Sequence, residues 1–148
     1  YYNPKLDEIH IPKSSQFKDE YSYYATQLHE LSHATGHPSR LNRDIINTFG
    51  SEEYAKEELR AEISSSFMMQ KLKLNYDENH YNEHKSYIRN WIDILKNQPA
   101  ELFKAIKDSD EIVNYLDKNG VSKDKKMEEQ NQMLNPKNIE QEEIDYEK

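Results

Sequence analysis

The sequence predicts an α+β domain, mostly helical, with a small N-terminal β element and four main helices. Three observations lead there. Four stretches repeat apolar residues at three- and four-residue spacing, the period of a helix with one buried face. Residues that start and stop helices bracket those stretches. One short stretch near the N-terminus alternates apolar with polar residues, as a half-buried strand does.

In that first stretch Ile9 and Ile11 sit two apart, on one face of an extended chain, and Pro12 ends it. Asn3-Pro4 is a turn signal, so Tyr1-Tyr2 reads as the tail of a preceding strand. The abrupt start predicts a fragment of a longer protein. The first helix is expected from Asp19 to Thr35. Acid at Asp19-Glu20 suits the positive end of the helix dipole. Tyr21, Tyr24, Leu28, Leu31 and Ala34 form its stripe. Gly36 is expected just past its end, and Pro38 forbids resumption. The second helix is expected from Ser51, a fitting N-cap, to Leu72. Ala55, Leu59, Ile63, Phe67 and Met68 supply its apolar side. A third helix is expected over about 81–96, with Tyr87, Ile88, Trp91, Ile92 and Leu95. The fourth begins at Pro99, suited to a first helical position, and stops at Asn119-Gly120. Leu102, Ala105, Ile106, Ile112, Val113 and Leu116 are its expected inner face.

Composition narrows the functional classes. The chain has 148 residues, of which 34% are apolar and 32% charged. No apolar run approaches the roughly 18–20 residues of a bilayer span. YYNPKLDEIHIP has neither the basic start nor the apolar run of a secretory signal. Zero cysteines exclude disulfides, a Cys nucleophile and thiolate metal ligands. Three glycines exclude a Gly-rich phosphate loop. The net charge of −8 gives no bulk field for gripping nucleic acid. A cytoplasmic location is expected from the absence of both cysteine and signal. Residues 121–148 are acidic and poor in large apolar side chains, so they cannot bury enough surface to offset ordering. The working domain is therefore expected at 1–120, followed by a disordered tail or linker.

The sharpest feature is His29-Glu30-Leu31-Ser32-His33, an HExxH pattern. Residues four apart share a helix face, so His29 and His33 can bind one tetrahedral Zn²⁺. Glu30 lies beside them, placed to take a proton from a zinc-activated water. With no cysteine, a third ligand must be His, Asp or Glu. Glu58 and Glu62, four apart on the second helix, offer one carboxylate for the metal and one to hold a ligand imidazole. Glu57 points about a third of a turn away and reads with them as an acidic, solvated face in the plainer alternative. Tyr54, four before Glu58, could stabilise an oxyanion, although the chain has 11 tyrosines. His80-Tyr81-Asn82-Glu83-His84 reads HxxEH, the inverted pattern, but its flanks are polar and it is assigned to coincidence. His37 and Arg40 follow the first helix. They either touch substrate or do ordinary loop work, with Arg40 bracing a carboxylate.

The runs YYNPKLDEIHIP, FKDEYSYYATQLHELSHATGHPSRLNR, FGSEEYAKEELRAEI and SYIRNWIDILKNQP together resemble the zincin-like metallopeptidase domain of ArdC-type antirestriction proteins and of polyvalent proteins from phages and conjugative plasmids. The resemblance spans about residues 1–118 and leaves out the tail. It implies a zincin-like fold, a small sheet over an active-site helix with a second helix bringing the third ligand. His29 and His33 match the metal positions and Glu30 the catalytic one. The EELRAE segment matches the acidic helix, with Glu58 carried over as ligand and Glu62 as its alternate. Members typically carry an N-terminal domain that binds single-stranded DNA, which is absent here. They protect incoming mobile DNA from host restriction.

The expected function is a one-zinc metallopeptidase that cleaves a protein or peptide, with Glu30 as general base. The strand near Ile9–Ile11 would offer an edge to an extended substrate. The alternative is a non-catalytic, zinc-stabilised acidic module that inhibits a restriction system by binding. No membrane partner is expected.

Overall fold

Two acceptor side chains set where the main helices begin. Asp19 caps the first by accepting from the Ser22 N–H at 2.7 Å, and Ser51 caps the second by accepting from the Tyr54 N–H at 3.1 Å. A computed structural model describes residues 1–74, 91–92 and 95–121. Most of the expected third helix, His80, His84 and residues 122–148 lie outside the described residues. Among the described ones, β1 (Tyr2–Asn3) pairs antiparallel with β2 (Glu8–Ile9), in the register Tyr2 to Ile9 and Asn3 to Glu8. A 3₁₀ turn at Ser14–Gln16 leads to α1 (Glu20–Ala34). Then come α2 (Glu52–Lys71) and α3 (Ala100–Lys118). Residues 91–92 and 95–97 are also helical.

The core lies where the three long helices meet. Leu28 of α1, Met68 and Met69 of α2, and Ile112, Val113 and Leu116 of α3 form one buried cluster. Tyr21, Tyr24 and Leu31 pack on it, as the stripe of α1 predicts. A second cluster joins Leu59, Trp91 and Ala105, with Ile63 and Leu95 against it. Full burial of a side chain such as Met68 or Ile112 contributes about 1.5–3 kcal/mol. Arg60 and Asp108 (2.6 Å) and Lys71 and Asp117 (2.8 Å) tie α2 to α3.

Four expectations need correction. The second strand ends at Ile9 and does not reach Ile11. α2 buries Leu59 and Met68 and packs Ile63 beside Leu59 as expected, but it does not bury Phe67. Its broad inner face is Glu57, Glu58, Ala61, Ser64, Ser65, Met68 and Met69, and Phe67 is 40% exposed. Helical geometry puts Phe67 about 60° outside that arc. Leu102 and Ile106 of α3 are exposed, while Ala105 between them is buried in the second cluster. Gly36 follows α1 as expected but without a left-handed backbone. Glycine suits it for another reason: a Cβ there would lie 2.4 Å from Ile45 Cγ2. True left-handed glycines close the later turns, at Gly50 and Gly120.

Candidate metal centre

The centre is built across α1 and α2. One helical turn separates His29 from His33, and their Nε2 atoms stand 3.1 Å apart. The rings meet edge to face, with centroids 4.7 Å apart. Between them Leu31 turns to the core, and Ser32 is fully buried, its hydroxyl donating to the Leu28 carbonyl at 2.8 Å. The amphipathic turn thus leaves the two imidazoles and Glu30 on the other side.

α2 presents three carboxylates to those rings. Glu58 straddles them: Oε2 lies 3.4 Å from His29 Nε2, and Oε1 lies 3.4 Å from His33 Nε2. Glu62 Oε2 lies 3.4 Å from the other nitrogen of His29, Nδ1. Glu57 Oε1 lies 3.3 Å from His33 Nδ1. Glu57 and Glu58 are only 5% and 9% exposed, so their helix face is not solvated. His29, His33 and Glu58 each offer one donor atom to a common point, the three lying within 4.8 Å of one another. For metal–ligand bonds of about 2.0–2.1 Å, the edges of a tetrahedron are about 3.3 Å. The 3.1 Å between the imidazole nitrogens and the 3.4 Å from each of them to its own Glu58 oxygen are close to such edges, the carboxylate meeting the two rings with different oxygens. The donor set of this structure therefore fits a small divalent ion.

The charges of the protein itself are consistent with that fit. Burial opposes protonation of His29, but Glu58 and Glu62 outweigh it and push its pKa up to about 10. Burial likewise opposes charge on His33, and Glu57 and Glu58 overcome it. Glu58 is held well below the usual carboxylate range: burial works against its ionisation, and the two imidazoles prevail. A region that binds protons this strongly is one that a cation can claim instead.

Glu30 and Tyr54 both line the open cleft in front of the imidazoles, about 320 Å³ in volume. Tyr1, Tyr2 and Pro4 form one wall, and Ile45 and Asn47 form another. The strand that reaches this cleft is β1. Tyr54 also stacks in a tilted contact on the exposed ring of Phe49. His37 and Arg40 stand apart from the cleft. His37 Nδ1 is 2.8 Å from the Ser39 hydroxyl. Arg40 braces the Asp7 carboxylate, donates to Ala34 O at 2.6 Å and reaches the Tyr2 hydroxyl at 3.2 Å.

Two participants were not legible in advance. Glu57 looked like surface. Arg43, in a loop with no motif, reaches Glu57 Oε1 at 2.8 Å and Oε2 at 3.3 Å. The proximity of two acids to the HExxH run was the one signal for Glu57. No local pattern marks Arg43.

A histidine pair on one helix, faced by a carboxylate on the next, with a glutamate beside the pair, defines a zincin-like metallopeptidase domain. Residues 1–108 match the MPTase-PolyVal family of zincin-like metallopeptidases, and the chain belongs to it. It is 47% identical over 116 residues to a DNA primase TraC of Escherichia coli, covering 78% of this chain and 11% of that protein. It is 34% identical over 116 residues to the uncharacterized protein y4eC of Sinorhizobium fredii, covering 78% of this chain and 37% of that one. Among solved structures it is similar to the Mn(II)-bound antirestriction protein ArdC of plasmid R388. The TM-score is 0.70 at 36% identity, over 80% of this chain and 43% of ArdC. The metal-free ArdC structure matches with a TM-score of 0.66 at 35% identity, over 82% of this chain and 43% of ArdC. The chain thus spans about a tenth of the TraC relative and less than half of ArdC. The expected fold class, mostly helical α+β and zincin-like, is the one observed. Among the described residues, no helix is long and apolar enough to cross a membrane.

Proposed function

We propose that this chain is the metallopeptidase domain of an ArdC-like antirestriction protein carried by a mobile element. It works in the cytoplasm and hydrolyses a protein substrate with one divalent ion, zinc by preference. The observation that carries this reading is the convergence of His29, His33 and Glu58, whose donor atoms lie within 4.8 Å of one another, with Glu30 in the same cleft. His29, His33 and Glu58 are the ligands. Three protein ligands leave a position open to water, the pattern of a catalytic site. Two imidazoles and a carboxylate also suit Mn²⁺, the ion in the solved ArdC.

A divalent ion held by His29, His33 and Glu58 would supply acidity to a water and polarise the scissile carbonyl. Glu30 accepts the proton of that water and returns it to the leaving amine. No protein nucleophile is needed, so no acyl-enzyme forms. Tyr54 lines the same cleft, and its hydroxyl is the proposed donor to the developing oxyanion. Glu62 accepts from His29 Nδ1–H and fixes which nitrogen of that ring is free to bind. Contact with single-stranded DNA belongs to a separate domain of longer family members, and the acidity of this chain agrees with that division.

The test pairs metal content with turnover of a protein and peptide panel. Wild type is expected to hold about one zinc per chain and cleave. Glu30→Gln is expected to hold zinc and lose about 10²–10⁴-fold in rate. His29→Ala is expected to lose both. Wild-type rates in Glu30→Gln would remove Glu30 from the mechanism. Zinc held with no cleavage, and antirestriction unaffected by Glu30→Gln, would favour the acidic binding module instead.

A further inference from the structure

Arg43 has no place in the chemistry above, yet it is among the most firmly held side chains in the molecule. It is 12% exposed and lies in the segment that leaves α1. Its Nη1 donates to Thr35 Oγ1 at 2.8 Å, and its Nη2 donates to the Ser32 carbonyl at 2.8 Å. That carbonyl belongs to the last turn of α1, where helices leave acceptors unpaired and favour a cation. Both anchors are independent of Glu57. The guanidinium then closes on Glu57 through two bonds, Nη2 to Oε1 at 2.8 Å and Nε to Oε2 at 3.3 Å. Such a fork fixes the plane of a carboxylate and not only its position. Glu57 Oε1 in turn faces His33 Nδ1 at 3.3 Å. Glu62, which faces the matching atom of His29, is more exposed, at 17% against 6% for the Glu57 side chain.

We propose that Arg43 and Glu57 are positioning residues for the metal centre: Arg43 locks the Glu57 carboxylate so that it holds His33 with Nδ1 protonated and Nε2 aimed at the ion. This rests on the reading that His33 is a metal ligand. Arg43 acts only through Glu57 and touches no ligand atom.

The sign of one measurement separates this from simple electrostatics. Arg43 is a cation beside a cation site. By Coulomb's law alone, removing it raises metal affinity. By the locking role, removing it lowers affinity, because the imidazole loses its fixed orientation. Partners of this type are worth about 10–100-fold in metal affinity.

The experiment measures Zn²⁺ affinity against a competing chelator and Mn²⁺ affinity by EPR, on the full chain. Glu57→Gln is expected to weaken both ions about 10–100-fold. Arg43→Met is expected to weaken them about tenfold, and Arg43→Lys, which keeps the charge but not the fork, to behave like Arg43→Met. In the Glu57→Gln background, Arg43→Met is expected to add less than about twofold, since the two act as one unit. ¹⁵N spectra of the zinc-loaded chains supply a readout that loosened packing alone does not move. His33 keeps its Nδ1–H signal in wild type, and that signal broadens or disappears in Arg43→Met. Affinity that rises in Arg43→Met, wild-type affinity in Arg43→Lys, or an equal loss in both Glu57 backgrounds overturns the proposal. No metal bound by wild type would instead defeat the metal-site reading itself, so the two failures are distinct.

Discussion

Glu62 Oε2 lies 3.4 Å from Nδ1 of His29, on the opposite nitrogen from the one that Glu58 meets. The ring is gripped at both ends by carboxylates one helical turn apart. Only one of them can share an ion with His33, because only Glu58 reaches Nε2 of both rings.

That division predicts unequal losses. Glu58→Ala should abolish tight zinc binding, and Glu62→Ala should weaken it about 10–100-fold without abolishing it. Titration of both variants against a chelator checks this. Equal retention of zinc in Glu58→Ala would move the ligand role to Glu62.

The pH dependence of stability should reverse with metal. In chelator-treated protein, the folded-state pKa of His29 is raised from 6.5 to about 10 by Glu58 and Glu62, against the opposing effect of burial. A raised pKa contributes stability that is complete below about 6.5 and is lost as pH climbs through about 10. The stripped protein should therefore melt at lower temperature at pH 10 than at pH 6. Ion uptake must displace that proton, so zinc affinity should rise across the same interval. Melting curves at several pH values, with chelator or zinc, measure both slopes. A flat profile for the stripped protein would show that His29 is not protonated there.

Arg40 should matter for the fold and not for the ion. It joins the β1–β2 hairpin, through Asp7 and Tyr2, to the Ala34 carbonyl at the end of α1. Burial and the Asp7 carboxylate push the Tyr2 pKa up to about 12, so this knot stays intact through neutral pH. Arg40→Met should lower the melting temperature by several degrees and leave zinc affinity within about twofold, as expected for separate sites. A large loss of zinc affinity in this variant would show that the hairpin helps to form the centre.

Gly36 should be intolerant of one methyl group. Its added Cβ would meet Ile45 Cγ2 at 2.4 Å, and Ile45 is part of the cleft wall. Gly36→Ala should cost about 1–3 kcal/mol as an overpacked site. Ile45→Ala removes the clashing carbon, so the double variant should recover part of that loss. Denaturant melts of the three variants test it, and strict additivity would point to a backbone effect at Gly36.

What the sequence revealed was whatever lies within one element. The histidine pair is contiguous on one turn, and the four-residue spacing of Glu58 and Glu62 puts both on the α2 face that meets the imidazoles. The cap at Ser51 was legible for the same reason, whereas Asp19 was read only as acid at the start of its helix and proves to be its cap. What depended on the neighbours of an element was hidden. α2 buries an acidic and small-residue face, so hydrophobicity pointed to Phe67 and away from Glu57. Arg43 finds Thr35, Ser32 and Glu57 only after the chain turns back along α1, which no local spacing records.

The buried face of α2 is short of bulk over its middle turns. Ala61, Ser64 and Ser65 are buried, and the Ser109 hydroxyl of α3 comes within 3.1 Å of the Arg60 main-chain oxygen. α3 thus approaches the main chain of α2 at Arg60. The imidazoles ride on α1 and the carboxylates on α2, so the gap between the two helices sets how far apart the donor atoms lie. The metal centre works as a gauge of that gap. A methyl group inserted deep in the seam, far from any ligand, would be registered at the donor atoms as a change in spacing.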